Sequence, residues 1–130
     1  MRKLLVVTLL LASVAVIGCA TTYPPANLVA FGKTWELIGV NSNDYSQHFC
    51  DPQKTIVSNG IVRTEWRVVD TIGYELVGEF EVDCARNQVR SYDGVRYDKY
   101  YRYVGSEPGM PWTPIPYNSV MSVFAQRYCR

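Results

Sequence analysis

A histidine, a cysteine and an aspartate lie together in His48-Phe49-Cys50-Asp51, the first place where this sequence could do chemistry. Imidazole and thiolate are zinc ligands, and a thiol beside a histidine is a potential nucleophile pair. In a strand, His48 and Cys50 share one face, but no second cluster supplies the further ligands that a closed zinc site needs. Adjacency alone also gives no third group to orient the histidine. We therefore interpret the segment as a short surface or edge strand that binds no metal.

The rest of the sequence does not suggest an enzyme. His48 is the single histidine, and the chain has neither a Gly-x-Ser-x-Gly elbow nor a glycine-rich phosphate loop. Glu75, Glu79 and Glu81 alternate along one segment, which is typical of a solvated strand face. A general acid needs a raised pKa, which an exposed row of carboxylates does not provide. We expect no catalytic residue and no cofactor.

Chemistry on a cysteine is indicated at the amino terminus. A short basic start precedes an apolar run from Leu4 to Ile17, and Val16-Ile17-Gly18-Cys19 has the form of a lipobox. The run is shorter than the ~20 residues that span a bilayer, which favours a signal peptide. We predict cleavage after residues 1–18 and acylation of Cys19. The alternative is an ordinary signal peptide followed by an unrelated cysteine.

Acylation would decide where the protein resides. Two or three acyl chains, at ~0.8 kcal/mol per buried methylene, anchor a protein durably to a membrane. The residue after Cys19 is Ala20 and not the aspartate linked to inner-membrane retention in enteric bacteria. We therefore expect the cell outer membrane, with the protein anchored through its N-terminal lipid.

Size and charge limit the mature chain to a few classes. Removal of 18 residues from the 130 leaves 112, enough for one domain. The whole chain has 13 Lys and Arg against 12 Asp and Glu, and the signal peptide carries away Arg2 and Lys3, so the formal net charge becomes −1. Such a balance gives no electrostatic basis for binding nucleic acid.

Three further cysteines, Cys50, Cys84 and Cys129, follow the acylation site. Export would take them to an oxidising compartment, where paired cysteines become disulfides. Because three is an odd number, one pair is expected with one thiol left over, and the residues alone allow three choices of pair.

Local patterns predict an α+β domain. Residues 19–33 are predicted to form a tether between lipid and domain, although Leu28 to Phe31 is equally compatible with packing on the domain, which is placed at 34–130. Asn59-Gly60 predicts a β-hairpin, and the period-two pattern of Tyr74 to Cys84 predicts a half-buried strand. A helix is expected only near the C-terminus, after a cap at Asn118 or Ser119. The result is an antiparallel meander of about five or six strands packed by one C-terminal helix.

A basic and aromatic segment is the best candidate for contact with another molecule. We expect a regular strand from Val95, with Tyr97, Tyr101 and Tyr103 lining the core and basic residues on the opposite side. Tyrosine and arginine are enriched at protein interfaces. The alternative is that the arginines only solvate the strand. The predicted partner-binding residues are Arg90, Arg96, Tyr100 and Arg102.

Short motifs follow one another in an order that points to a known family. They are Trp35, Asp51, Asn59-Gly60-Ile61-Val62, Trp66-Arg67-Val68-Val69-Asp70, Glu81-Val82-Asp83-Cys84, Trp112-Thr113-Pro114-Ile115-Pro116 and Tyr128-Cys129. In order and spacing they resemble the surface-adhesin protein E family over nearly the whole predicted domain. The resemblance implies an antiparallel sheet packed by a C-terminal helix, a Cys84–Cys129 disulfide and a surface-exposed lipoprotein of a Gram-negative bacterium.

The resemblance also carries functional expectations. The named adhesin of the family binds host matrix and serum proteins such as laminin and vitronectin, which suggests a surface binding module for host or envelope proteins. The alternative is a periplasm-facing lipoprotein that maintains the envelope and has no adhesive role. Protease accessibility on intact cells separates the two. Cys50 departs from the family pattern, so its thiol is expected either to be buried or to link two subunits in a homodimer.

Overall fold

The computed structural model describes residues 25–130. The predicted signal peptide, Cys19 and the first residues of the predicted tether lie outside this part of the chain. The strands of the described part are β1 (Val29–Ala30), β2 (Lys33–Thr34), β3 (Glu36–Val40), β4 (Gln47–Cys50), β5 (Ile56–Ser58), β6 (Ile61–Val69), β7 (Glu75–Asp83), β8 (Gln88–Ser91), β9 (Gly94–Tyr97), β10 (Tyr103–Glu107) and β11 (Thr113–Pro114). A 3₁₀ turn spans Pro52–Lys54, and helix α1 spans Val120–Tyr128.

Nine strands form one antiparallel sheet, and β1 and β2 form a separate hairpin. The long path through the sheet is β10-β9-β7-β6-β4-β3, with β5 beside β6, β8 beside β7, and β11 beside β8. An antiparallel sheet with one helix at the end of the described chain confirms the predicted α+β fold. The strands outnumber the predicted five or six because turns divide long β-prone segments and very short strands pair at the sheet margins.

The centre of the sheet is the long pairing of β6 with β7. Asn59 and Gly60 lead into it with φ of 52° and 76°, the positive values that the predicted type I′ turn requires. The two strands then pair over nine residues without a register shift. Because side chains alternate along both strands, this ladder sets the two faces of the sheet.

Helix α1 packs on one face of the sheet. Ser119 caps its first turn, where its Oγ accepts a hydrogen bond from Ser122 N at 3.2 Å. Phe124 is fully buried, and its ring centroid lies 4.7 Å from that of Phe80 on β7. The helix thus closes a core formed with the apolar side of β7, as the strand pattern predicts.

The cysteines fix this packing. Cys84, just after β7, and Cys129, at the end of α1, form a disulfide across a separation of 45 residues, the pair that the family resemblance implies. Cys50 is free and fully buried. Burial raises the pKa of its thiol to about 11. A disulfide to a second subunit would require this thiol to leave the core, so of the two expectations for Cys50 the structure shows burial.

The β1–β2 hairpin covers part of the opposite face. Trp35, only 2% exposed, donates a hydrogen bond from Nε1 to the carbonyl of Ala30 at 2.9 Å. The backbone N–H of Ala26 donates to Oε1 of Gln47 at 2.8 Å. The described part of the predicted tether, 19–33, is therefore packed on the sheet, and the folded unit begins before residue 34.

In the acidic row on β7 the side chain of Glu79 is 38% exposed, but Glu75 and Glu81 are not solvated as the alternation predicts. Glu75 and Glu81 are buried, at 6% and 7% exposure. Glu75 forms an ion pair with Arg67, which is itself buried, and Glu81 pairs with Arg90 at 3.2 Å. The prediction fails here because arginines from neighbouring strands pair with both carboxylates, and the Tyr92 hydroxyl also donates a hydrogen bond to Glu81.

Candidate protein-binding surface

Three turns lie side by side at one end of the sheet. The residues that flank them pair directly across the strands in one row, namely Val40↔Gln47, Gln47↔Val69, Val69↔Glu75, Glu75↔Tyr97 and Tyr97↔Tyr103. Turns 41–46, 70–74 and 98–102 therefore project from the same end. The last two touch, since a Cβ added at Gly73 would lie 3.1 Å from Cβ of Lys99.

An aspartate builds the turn that separates β9 from β10. Asp98 accepts hydrogen bonds at Oδ1 from the backbone N–H groups of Tyr100 and Arg102, at 2.8 and 3.0 Å. Its Oδ2 accepts from Nε of Arg102 at 2.9 Å. These bonds, led by that from the Arg102 backbone, hold the pKa of Asp98 below its ordinary value. The predicted regular strand from Val95 is wrong because the carboxylate captures backbone groups that a strand would need.

Aromatic side chains stand exposed on and beside these turns. Tyr103 is 67% exposed and Tyr101 49%, so the prediction that both line the core is wrong. Tyr97 is half-buried against Phe31, with ring centroids 4.9 Å apart. We use the name aromatic turn surface for the exposed tyrosines on and beside the three turns together with one exposed isoleucine. Its members are Tyr45, Ile72, Tyr74, Tyr100, Tyr101 and Tyr103.

Two cations lie beside the ring of Tyr100. Tyr100 is 65% exposed. Nζ of Lys99 lies 5.2 Å from its ring centroid, and Cζ of Arg102 lies 5.1 Å from it. A large ring with two cations beside it offers apolar area and positive charge together, as protein interfaces favour.

Backbone strain accumulates at the same end. Phe31, Tyr45 and Tyr101 have φ of 54°, 60° and 62°, in the left-handed region that is rare for bulky side chains. Tyr45 and Tyr101 belong to the aromatic turn surface, and the ring of Phe31 lies 5.4 Å from that of Tyr101. Such strain persists only where the surrounding structure imposes it, and it tends to cluster at functional sites.

The four predicted partner-binding residues do not form one patch. Arg90 pairs with Glu81 in the β7–β8 ladder, whereas Arg96 pairs with Leu76 in the β7–β9 ladder. Because positions 76 and 81 of β7 point to opposite faces, Arg90 and Arg96 do too. Arg96 is also held by an ion pair with Glu107.

Tyr100 and Arg102 alone remain together, in the turn after β9. Tyr45, Ile72 and Tyr74 were not among the predicted binding residues. Each of these residues has a polar or glycine neighbour typical of a turn in the sequence. The position of their turns at one end of the sheet depends on the order of the strands, which the spacing of residues along the chain does not reveal.

A chain of hydrogen bonds runs along the helix-bearing face near these turns. Nε1 of Trp66 donates to Nδ1 of His48 at 3.2 Å, because an indole nitrogen can only donate. The neutral imidazole therefore carries its proton on Nε2 and donates it to Oγ of Ser46 at 2.9 Å. Ser46 in turn donates to Oδ1 of Asp44 at 2.7 Å. His48 cannot accept a proton from Ser46 in this arrangement, so the cluster is not an activated serine.

Residues 25–130 show neither a metal-binding cluster nor a membrane-spanning helix. That part of the chain contains no group of three or more His, Cys, Asp or Glu side chains placed to hold a metal ion. It also contains no helix long and apolar enough to cross a membrane.

Comparisons with protein-family models, with curated proteins and with solved structures found no match.

Proposed function

We propose that the protein is a lipid-anchored binding module of the bacterial outer membrane that contacts host or envelope proteins through the aromatic turn surface. The observation that carries the proposal is the convergence of five exposed tyrosines on adjoining turns at one end of the sheet. Exposed apolar side chains gathered at one end of a sheet support an interaction site, because exposed apolar patches often mark such sites. The Lys99–Tyr100–Arg102 stack adds the residue types that dominate interface energies.

Binding fits the described chemistry better than catalysis. Oγ of Ser46 accepts a hydrogen bond from Nε2 of His48, and the bond from Trp66 to Nδ1 fixes this direction. The buried thiol of Cys50 has a raised pKa, the opposite of a reactive cysteine. Neither group is prepared to attack a substrate.

The lipobox supports the membrane anchor, and the family resemblance supports the choice of ligands. Val16-Ile17-Gly18-Cys19 predicts acylation of Cys19. The motif order that resembles surface-adhesin protein E suggests laminin and vitronectin as the first proteins to test.

Replacement of Tyr100 and Arg102 by serine should weaken binding at least tenfold, about 1.4 kcal/mol. The Arg102 side chain is 72% exposed and Tyr100 65%, so the thermal unfolding midpoint should change little. The measurement is biolayer interferometry of the full lipidated chain in detergent against immobilised laminin and vitronectin. Loss of the Arg102 charge should also reduce the salt dependence of association.

The matched control makes the same chemical change at the opposite end of the sheet. Arg86 has a 79% exposed side chain in the turn after β7, and Tyr117 is 91% exposed before α1. Arg86→Ser with Tyr117→Ser should leave binding unchanged. Equal affinity of both double variants and the unsubstituted chain would refute the assignment of the surface, and absence of any binding would refute the choice of ligands.

A further inference from the structure

An apolar groove lies where the described chain begins. It has a volume of about 680 Å³ and runs between the β1–β2 hairpin and strands β3 and β4. Trp35 and Phe49, 2% and 1% exposed, belong to its lining, together with the half-exposed side chains of Leu28 and Leu37. Its size is within the range of small-molecule sites, and its lining is more apolar than that of most.

The chain is held firmly at the rim of this groove, which Pro25 lines. Three consecutive residues form hydrogen bonds to other parts of the sheet. The N–H of Ala26 donates to Oε1 of Gln47 at 2.8 Å, and the carbonyl of Asn27 accepts from Nη1 of Arg67 at 2.6 Å. The carbonyl of Leu28 accepts from the N–H of Trp35 at 2.7 Å. The arginine is buried and fixed by Glu75. The point from which the N-terminal segment departs is therefore set beside the groove.

We propose that the groove holds an acyl chain carried by Cys19. This inference rests on the acylation that the proposed function includes. Cys19 precedes Pro25 by six residues, and six residues span at most about 20 Å. The lipid is therefore within reach of the groove.

The chemistry of the groove selects an acyl chain over a peptide. Residues 20–24 would bring backbone amides and the hydroxyls of Thr21 and Thr22, and burial of such groups without partners is costly. An acyl chain has no polar group to satisfy along its length. A short tether also gives the Cys19 lipid a high effective concentration at the groove, which favours it over a phospholipid from the bilayer.

Occupation of the groove would orient the domain. The groove adjoins β3, whereas β10 lies at the other edge of the six-strand path. Strands about 4.8 Å apart place these edges roughly 24 Å from each other. The membrane would then lie beside β3, and the turn that carries Tyr100 would face away from it.

Photo-crosslinking of the full, lipidated chain in its membrane tests the proposal. The photoactivatable residue p-benzoylphenylalanine replaces Leu37 in the groove, with Leu28 as a second position should the first disturb folding. The control position is Val104 on β10, 50% exposed. We expect irradiation to join residue 37 or 28, but not 104, to the acyl portion of the Cys19 peptide, as identified by mass spectrometry after digestion.

Each other product overturns the proposal. A crosslink to phospholipid would mean that a bilayer lipid fills the groove. A crosslink to residues 20–24 would mean that the peptide covers the groove, and a crosslink to another protein would mean that a partner protein covers it. No link from either groove position would also contradict it. The mass of the Cys19 peptide before irradiation reports acylation separately, so failure of the anchor and failure of the groove assignment are distinguishable.

Discussion

Replacing Cys84 and Cys129 together by alanine is expected to lower the free energy of unfolding by about 4 kcal/mol. The disulfide closes a loop of 45 residues, and the chain-entropy relation gives about 4 kcal/mol for a loop of that length. It also fastens the end of α1, whose Phe124 completes the core over Phe80. Urea unfolding under non-reducing conditions measures the loss.

Cys50→Ala is the control for this experiment. Cys50 is fully buried and free, so its substitution removes volume from the core without removing a crosslink. It should cost clearly less than the double substitution. Non-reducing peptide mapping should recover Cys84 joined to Cys129, and recovery of Cys50 joined to either would contradict the structure.

His48 should make stability fall by about 3 kcal/mol as the pH drops from 6.5 to 4. Burial lowers the pKa of the folded imidazole from its ordinary 6.5 to about 4, an effect that the charge of Asp44 only partly offsets. Between these pH values the unfolded chain binds a proton at His48 and the folded chain does not. Protonation therefore favours the unfolded state across that window.

The single histidine makes this test direct. The imidazole C–H resonances of the folded protein should titrate near pH 4, and His48→Gln should lose the His48 contribution to the pH dependence of the urea midpoint. A titration near pH 6.5 in the folded protein would show that burial does not hold the ring neutral and would contradict the prediction.

Sequence signals predicted turns, caps and strand faces correctly where neighbouring residues determine the local structure. Asn59-Gly60 forms its turn because both positions adopt positive φ, and Ser119 caps α1 with its own hydroxyl. The alternation of β7 correctly assigned Phe80 and Val82 to the core. The turn and the cap are determined by contacts within a few residues along the chain, and the buried side of β7 follows from the alternation of its own side chains.

The acidic side of β7 and the binding surface depend on distant parts of the chain. Glu75 is buried beside its ion-pair partner Arg67, which also donates to the carbonyl of Asn27, and no periodicity in β7 reports that. Asp98 did carry a readable signal, since aspartate commonly captures the backbone two residues on. Because the turn at Asp98 was not predicted, Tyr101 and Tyr103 were assigned to the core, although both are exposed.

Hydrogen–deuterium exchange tests the binding surface most directly. The full lipidated chain is compared alone and saturated with laminin or vitronectin, whichever binds it. We predict slowed exchange in turns 41–46, 70–74 and 98–102, with the turn at 84–87 unchanged. Slowed exchange at 84–87 with the three turns unaffected would place the partner at the other end of the sheet and contradict the assignment.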